Sequence, residues 1–569
     1  MKRFNNIFKW TKNQEILFII FLICFMLPNI FLFFTESDTI LSKSSSIIFP
    51  LGLFWGLMTL NRKPGKIIIY LFFFIFLAAF QLVLLYLFGE SIIAVDMFLN
   101  LVTTNSTEAT ELLGNIIESV IGVIVIYGSV IILSVLSIKN PLKLTDEFIA
   151  IQRKISTAIT FTGIVIIGLN YVFTPKYRVH NNIYPINVCY NMGLAINREY
   201  KAQQYHSNIE GFKFNASTNR PDNEKELYVL IVGETSRASN FGIYGYNRNT
   251  TPHLDKLNDN LIIYHDALTQ SNTTHKSVPM ILSAANAQNY DCIYHQKSII
   301  SAFKEAGYKT SFFSNQKRNG SFIDFFGEEA DTTVFLKDNL HDTVNVYDND
   351  LLPLLKDVVT KNKSSKQFIV LHTYGSHFDY KERYPSEYSV FKPDFTTSAS
   401  QKNRDILINS YDNTILYIDN FINEVINIIQ ADNRSSAVMY LTDHGEDIYD
   451  DNRNKFLHAS PKPTFHQLNV PLLIWISEQY SNIHNDVALN LKANSNQKVS
   501  TNLSVFHTML SIAGIQTNVS DKKLSLADSI YYIGNRYYLN DHNRPVKITD
   551  LGLGKEDISE FKKNQMVFE

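Results

Sequence analysis

Apolar positions are spread unevenly along the chain, and the unevenness predicts two kinds of structure. Runs dense in Ile, Leu and Phe recur at 16–34, 46–60, 67–88, 116–138 and 155–173. Four of them approach or exceed the ~20 residues an α-helix needs to cross a bilayer. The run at 46–60 is shorter and holds Pro50. As one of five in succession it predicts a spanning bundle, not a set of buried core helices. The first run is followed by further spans without a small-residue cleavage site, so it reads as an anchor and not a removable leader. Beyond 221 the pattern changes. Short continuous apolar runs at 227–232, 310–313, 368–371, 437–441 and 470–476 alternate with amphipathic stretches at 298–306, 350–360 and 406–429, and 503–513 reads as a closing helix. Such alternation predicts a mostly parallel sheet covered on both faces. The expected organisation is a five-helix transmembrane domain over 1–173, a joining segment over 174–221 and an α/β domain over 222–569. Tyr184, Val188, Tyr190 and Met192 predict that the joining segment docks along a membrane surface.

Charge orients the bundle. Lys2, Arg3, Lys9 and Lys12 precede the first run, Arg62, Lys63 and Lys66 follow the second, and Lys139, Lys143, Arg153 and Lys154 follow the fourth. The other two loops carry Glu36 and Asp38, then Glu90, Asp96, Glu108 and Glu111. The positive-inside rule makes the N-terminus cytoplasmic, and five crossings place the α/β domain outside, where no ATP is available. The loop at 89–115 is amphipathic over 92–102, which fits either the outer leaflet surface or a solvated loop. A net charge of −2 gives no basic field for nucleic acid. With three cysteines, only Cys189 and Cys292 could pair beyond the bundle, so a disulfide framework is excluded and one bridge stays open.

In open α/β sheets, ligands bind beyond the carboxyl ends of the strands. The run at 227–232 delivers Gly233-Glu234-Thr235-Ser236-Arg237. The run at 368–371 delivers His372-Thr373-Tyr374-Gly375-Ser376-His377, and that at 437–441 delivers Thr442-Asp443-His444-Gly445-Glu446. Carboxylates and imidazoles converging on one edge suggest a metal site. Two oxygens and one imidazole suit Zn²⁺, with Mn²⁺ as the alternative.

These same segments resemble the phosphoethanolamine transferases, a family of the alkaline-phosphatase-like superfamily with a sulfatase-like fold. The resemblance rests on Gly233-Glu234-Thr235-Ser236-Arg237 with Tyr244-Gly245-Tyr246, and on Thr274-His275-Lys276-Ser277-Val278-Pro279. It extends to Gly375-Ser376-His377, Arg383-Tyr384-Pro385, Ser410-Tyr411-Asp412-Asn413-Thr414, Thr442-Asp443-His444-Gly445-Glu446 and Phe456-Leu457-His458, in that order. It implies that Glu234, Asp443 and His444 are zinc ligands and that Thr274 is both ligand and nucleophile, with Thr273 as the adjacent alternative. A threonine hydroxyl needs activation, and coordination to a dication would favour its alkoxide. His377 and His458 match histidines that contact the phosphoryl group or a second metal, and Asn315 and His466 are further candidate substrate contacts.

The implied reaction moves phosphoethanolamine from phosphatidylethanolamine, through a covalent threonine intermediate, to an envelope glycolipid such as lipid A or the lipopolysaccharide core. The resemblance further implies a monomer in a bacterial inner membrane with a periplasmic catalytic domain. Competing readings are a phosphoglycerol transferase of the lipoteichoic-acid-synthase type, a metal-dependent phosphodiesterase and a noncatalytic membrane sensor. A sulfatase activity is disfavoured, since no Cys/Ser-x-Pro-x-Arg motif occurs. One departure stands out. Lipid A-modifying members, including the polymyxin-resistance enzymes, carry several disulfides, whereas this chain allows at most one.

Overall fold

The computed structural model describes residues 13–36, 38–89, 92–103, 117–175, 177–257, 260–338, 340, 345–362 and 366–568. Lys2, Arg3, Lys9, Lys12, Glu90, Glu108 and Glu111, used above for orientation, lie outside the described residues. The chain forms two compact units. One comprises Met1–Phe98 and Ile116–Asn197, the other Leu99–Asn115 and Arg198–Glu569, so the expected joining segment is divided between them.

In the first unit the apolar runs are helices α1 (Gln14–Thr35), α2 (Ile40–Met58), α3 (Pro64–Tyr70), α4 (Phe72–Phe88), α5 (Ile117–Lys139) and α6 (Asp146–Phe173). Among the described residues, four are long and apolar enough to cross a membrane, and five spans result if α3 and α4, bent by 72°, count as one. The third run is therefore broken near Leu71, where the sequence alone predicts one straight span. Pro50 sits inside α2 without ending it. Small residues let α2 and α6 approach closely: a Cβ added at Gly52 would lie 2.4 Å from Thr160 Oγ1, and one at Gly163 2.7 Å from the Phe49 Cα. Two buried amide side chains donate to backbone carbonyls within the bundle. Gln14 Nε2 donates to Ser137 O at 2.9 Å, and Asn29 Nδ2 donates to Ser46 O at 2.8 Å.

The second unit is built on a seven-stranded sheet, β1 (Glu226–Gly233), β2 (Leu261–Ile263), β3 (Lys309–Ser314), β4 (Thr332–Phe335), β5 (Gln367–His372), β6 (Ser435–Thr442) and β7 (Leu472–Ile476), in spatial order β2-β7-β6-β1-β5-β3-β4. β1 is buried along its whole length. Tyr228, Leu230 and Val232 face one apolar layer with Phe303 and Phe506, while Leu227, Val229 and Ile231 face another with Leu355 and Ile415. Successive strand residues point to opposite faces, so a strand covered on both sides must read as an unbroken apolar run. The covering helices are α7 (Thr274–Ile281), α8 (Ile299–Glu305), α9 (Leu352–Lys361), α10 (Arg404–Gln430) and α11 (Thr501–Ile512).

The sheet is mixed. β6, β1, β5, β3 and β4 are parallel, but β7 runs antiparallel to β6. The chain leaves β6 at the carboxyl edge and re-enters β7 from that edge, so no crossover turns it around. All three cysteines are free thiols.

Candidate metal centre and nucleophile

β1 and β6 are adjacent and parallel, with Gly233 opposite Thr442. That register sets Glu234 and Asp443 side by side at the carboxyl edge. Thr235 turns the chain away from β1 with a left-handed backbone, φ 59°, and its N–H donates to Asp443 Oδ1 at 3.0 Å. The His444 N–H donates to the same oxygen at 2.8 Å. Asp443 Oδ2 is also buried but makes no hydrogen bond, and lies 3.1 Å from His444 Nε2. His444 Nδ1 lies 3.0 Å from Gly445 O. A carbonyl can only accept, so Nδ1 carries the proton and the Nε2 lone pair faces the carboxylates.

Thr274 opens α7, with Thr273 as its N-cap. Thr274 Oγ1 lies 3.1 Å from Glu234 Oε1 and 3.1 Å from His444 Nε2. Thr273 Oγ1 is instead 3.1 Å from Ser271 Oγ, so of the two threonines Thr274 is the one brought to the cluster. Ser277 Oγ and Thr269 Oγ1 donate to Asp443 O at 2.7 and 2.6 Å, tying α7 and its leading loop to β6.

The site is electrostatically unbalanced without a cation. Glu234, Asp443 and His444 have relative exposures of 1%, 0% and 0%. Burial, and then the Asp443 charge, pushes the Glu234 carboxyl well above the usual carboxylate range. Burial also raises Asp443, to about 6, and keeps His444 neutral, with help from His458. Arg237 does not compensate them, since its guanidinium is committed to Asp450 at 2.7 Å. Donor atoms of Glu234, Asp443 and His444 all lie within 4.8 Å of one another. Two carboxylates, a neutral imidazole with its lone pair inward, an unbonded carboxylate oxygen and an adjacent hydroxyl fit a divalent ion. A second group, Glu224, Glu226 and His484, does not: Arg220 and Lys366 already stand 3.8 and 3.6 Å from the Glu226 carboxylate.

His458 packs on His444 with ring centroids 4.2 Å apart. His377 is 6.2 Å from the His458 ring and stacks on Tyr374. Burial, then Arg383 and His458, lowers His377 to about 3, so the His377 ring stands beside the cluster as a neutral imidazole. The other two candidates are placed elsewhere. Asn315 Nδ2 donates to Asp348 Oδ1 at 2.8 Å, and Asp348 in turn accepts from the Tyr374 and Gly375 amides. The His466 ring packs edge-on against Phe465, with centroids 5.6 Å apart. Gln316, which the sequence reading missed, does reach the cluster, donating to Glu234 Oε2 at 3.3 Å and Thr373 O at 3.1 Å. Asn315 and Gln316 follow the end of β3 at Ser314, where no strand periodicity marks which side chain turns to the cluster.

The sulfatase family profile matches residues 226–515, just over half of the chain. The chain belongs to the sulfatase family. Its curated relatives include phosphoethanolamine transferase EptC of Escherichia coli O18:K1:H7, 28% identical over 332 residues covering 56% of this chain and 57% of that protein. EptA of Salmonella typhimurium is 33% identical over 303 residues, 52% of this chain and 54% of that protein. The chain thus aligns with a little over half the length of these relatives. Among solved structures, the C-terminal periplasmic domain of E. coli EptC, in complex with Zn, matches with a TM-score of 0.55 and 26% identity over 60% of this chain and 98% of that domain. The integral membrane protein EptA from Neisseria meningitidis matches with a TM-score of 0.71 over 89% of this chain and 98% of its own. At 22% identity that likeness shows a shared fold of N-terminal apolar helices and a sulfatase-like domain.

Proposed function

We propose that the chain is a metal-dependent phosphoethanolamine transferase of a bacterial inner membrane, with its α/β domain in the periplasm and Thr274 as nucleophile. The observation that carries the reading is the Thr274 hydroxyl, seated 3.1 Å from both Glu234 Oε1 and His444 Nε2 at the first turn of a helix. Glu234, Asp443, His444 and Thr274 would hold the metal, Zn²⁺ by the donor chemistry. When bound, it supplies positive charge where the phosphoryl oxygens and the threonine oxygen carry negative charge.

The steps follow from the chain's own groups. Glu234 Oε1 accepts the Thr274 proton and aims the oxygen, and the helix start favours negative charge there. Attack on the phosphorus of phosphatidylethanolamine forms the Thr274–phosphorus bond and breaks the bond to diacylglycerol. The leaving oxygen needs a proton, which a protonated His458 beside the cluster would donate and then recover from the acceptor in the second step. An acceptor hydroxyl or phosphate on lipid A or the lipopolysaccharide core then takes the phosphoethanolamine and frees Thr274. The donor and acceptor are drawn from the relatives' activity, and apolar helices that tether the domain near lipid raise effective concentration.

The test uses the full chain in nanodiscs containing fluorescent phosphatidylethanolamine and lipid A. Diacylglycerol release and a phosphoethanolamine adduct on the peptide containing Thr274 are expected, both lost in Thr274→Ala. Equal release by wild type and variant would sink the assignment. A phosphoglycerol adduct formed from phosphatidylglycerol instead would replace the donor.

A further inference from the structure

The loop carrying His458 is held by two buried amides that no chemical step uses. Leu457 and Ala459, on either side of His458, both have left-handed backbones, φ 64° and 61°. Non-glycine residues keep that conformation only where the surroundings impose it. Here the imposing groups are Gln467 and Asn272. Gln467 Nε2 donates to Leu457 O at 3.3 Å and to Asp447 Oδ2 at 2.7 Å. Its Oε1 accepts from Asn272 Nδ2 at 2.6 Å and from Ser460 Oγ at 3.0 Å. Asn272 Nδ2 also donates to Ser460 O at 2.8 Å, and the Ala459 N–H donates to Asn272 O at 3.1 Å.

Gln467 thereby uses both of its amide donors and accepts from Asn272, with the Ser460 hydroxyl proton shared between Gln467 Oε1 and Lys462 O, at 0% exposure. A carboxylate there would face Asp447, and a hydrocarbon would take the Gln467 donors away from Leu457 O and Asp447 Oδ2. The pair also reaches the rest of the centre. Asn272 lies two residues before Thr274, and Gln467 O accepts from the N–H of Gly445, next to His444, at 3.0 Å.

We propose that Asn272 and Gln467 are positioning residues that clamp the His458 loop to the nucleophile loop, fixing the His458 imidazole against Thr274 and His444. The catalytic consequence rests on the reading of the site given above, whereas the clamp itself does not.

The experiment compares wild type, Asn272→Asp, His458→Ala and their double variant as full chains in nanodiscs. Asn272→Asp is isosteric and keeps the acceptor that Tyr538 Oη uses at 2.6 Å, but it cannot donate to Ser460 or Gln467. Hydrogen exchange at Ala459 should quicken at least ~10-fold while β6 keeps its protection. The transfer kcat should fall roughly 30- to 100-fold with KM within about threefold and bound zinc unchanged. The double variant should be no slower than His458→Ala, because both lesions remove one function. Unchanged exchange at Ala459, or losses that multiply, would overturn the proposal. Gln467→Met is the second variant if Asn272→Asp does not fold. Loss of β6 protection in both overturns it too, since the pair would then serve the fold and not His458. If wild type transfers nothing, the proposed reaction fails, and exchange at Ala459 alone decides the clamp.

Discussion

Gly375 is packed against the backbone of Glu234: a Cβ at residue 375 would lie 2.6 Å from Glu234 O and 2.9 Å from Glu234 N. The Ser376 N–H donates to the same carbonyl oxygen at 3.0 Å. Gly375 has φ 51°, so a side chain would be strained even in open space.

Gly375→Ala should therefore displace Glu234 itself. We expect a loss of about 1–3 kcal/mol in stability of the α/β unit and a larger proportional loss of bound zinc, read by thermal unfolding and elemental analysis of the same sample. Wild-type zinc content in a well-folded variant would contradict the tight packing.

Metal removal should lower stability through mass action. Free zinc at 100 times its Kd stabilises the folded state by about 2.7 kcal/mol, so chelation should lower the unfolding temperature and zinc should restore it. Asp443→Asn removes one of two buried carboxylates, so the zinc-dependent increment should collapse while the metal-free protein unfolds no lower than the chelated wild type. Differential scanning calorimetry with and without chelator checks both.

Asp450 sets an acid limit. Burial opposes its charge, but Arg237, His466 and the Ile448 amide together outweigh burial and hold the carboxyl well below the usual range. A depressed carboxyl pKa adds stability above the unfolded value, ~3.9 for aspartate, and loses it as pH falls through the folded value. Asp450→Asn leaves Arg237 buried without its partner and should cost about 3–5 kcal/mol at neutral pH. The variant's stability should also fall less steeply than wild type below about pH 4. Denaturant unfolding across pH measures both effects.

In the bundle, Gly52→Leu should force α2 away from Thr160, because even a Cβ would come within 2.4 Å of that residue's Oγ1. Overpacking of this kind costs on the order of 1–3 kcal/mol. A lower aggregation temperature in detergent, with the α/β unit still folded by hydrogen exchange, is the expected result.

The parts legible in the sequence were those written as local pattern. β1, β5 and β6 are doubly buried and read as continuous apolar runs, and their carboxyl ends located Glu234, Asp443 and His444. β2 and β4, of three and four residues, leave too short a run to recognise. α7 was missed because its eight residues include Pro279, which weakens any helical signal. The reversal of β7 depends on where the chain re-enters the sheet, which no periodicity encodes. Gln316 lies just past the end of β3 at Ser314, where no periodicity distinguishes it from its neighbour Asn315. Asn272 and Gln467 are 195 residues apart, and nothing local marks two polar residues that meet only in the folded core.

Because β7 returns beside β6 without a crossover, Asp443, His444, His458 and Gln467 all belong to one uninterrupted excursion between neighbouring strands. That stretch is one contiguous piece of chain. Recombination with breakpoints inside β6 and β7 would carry two of the proposed metal donors, an imidazole and one half of its proposed brace together, and would leave Glu234, Asn272 and Thr274 with the recipient. Exchange among relatives would thus be filtered first at the seam between Asn272 and Gln467, and only afterwards by the donors themselves.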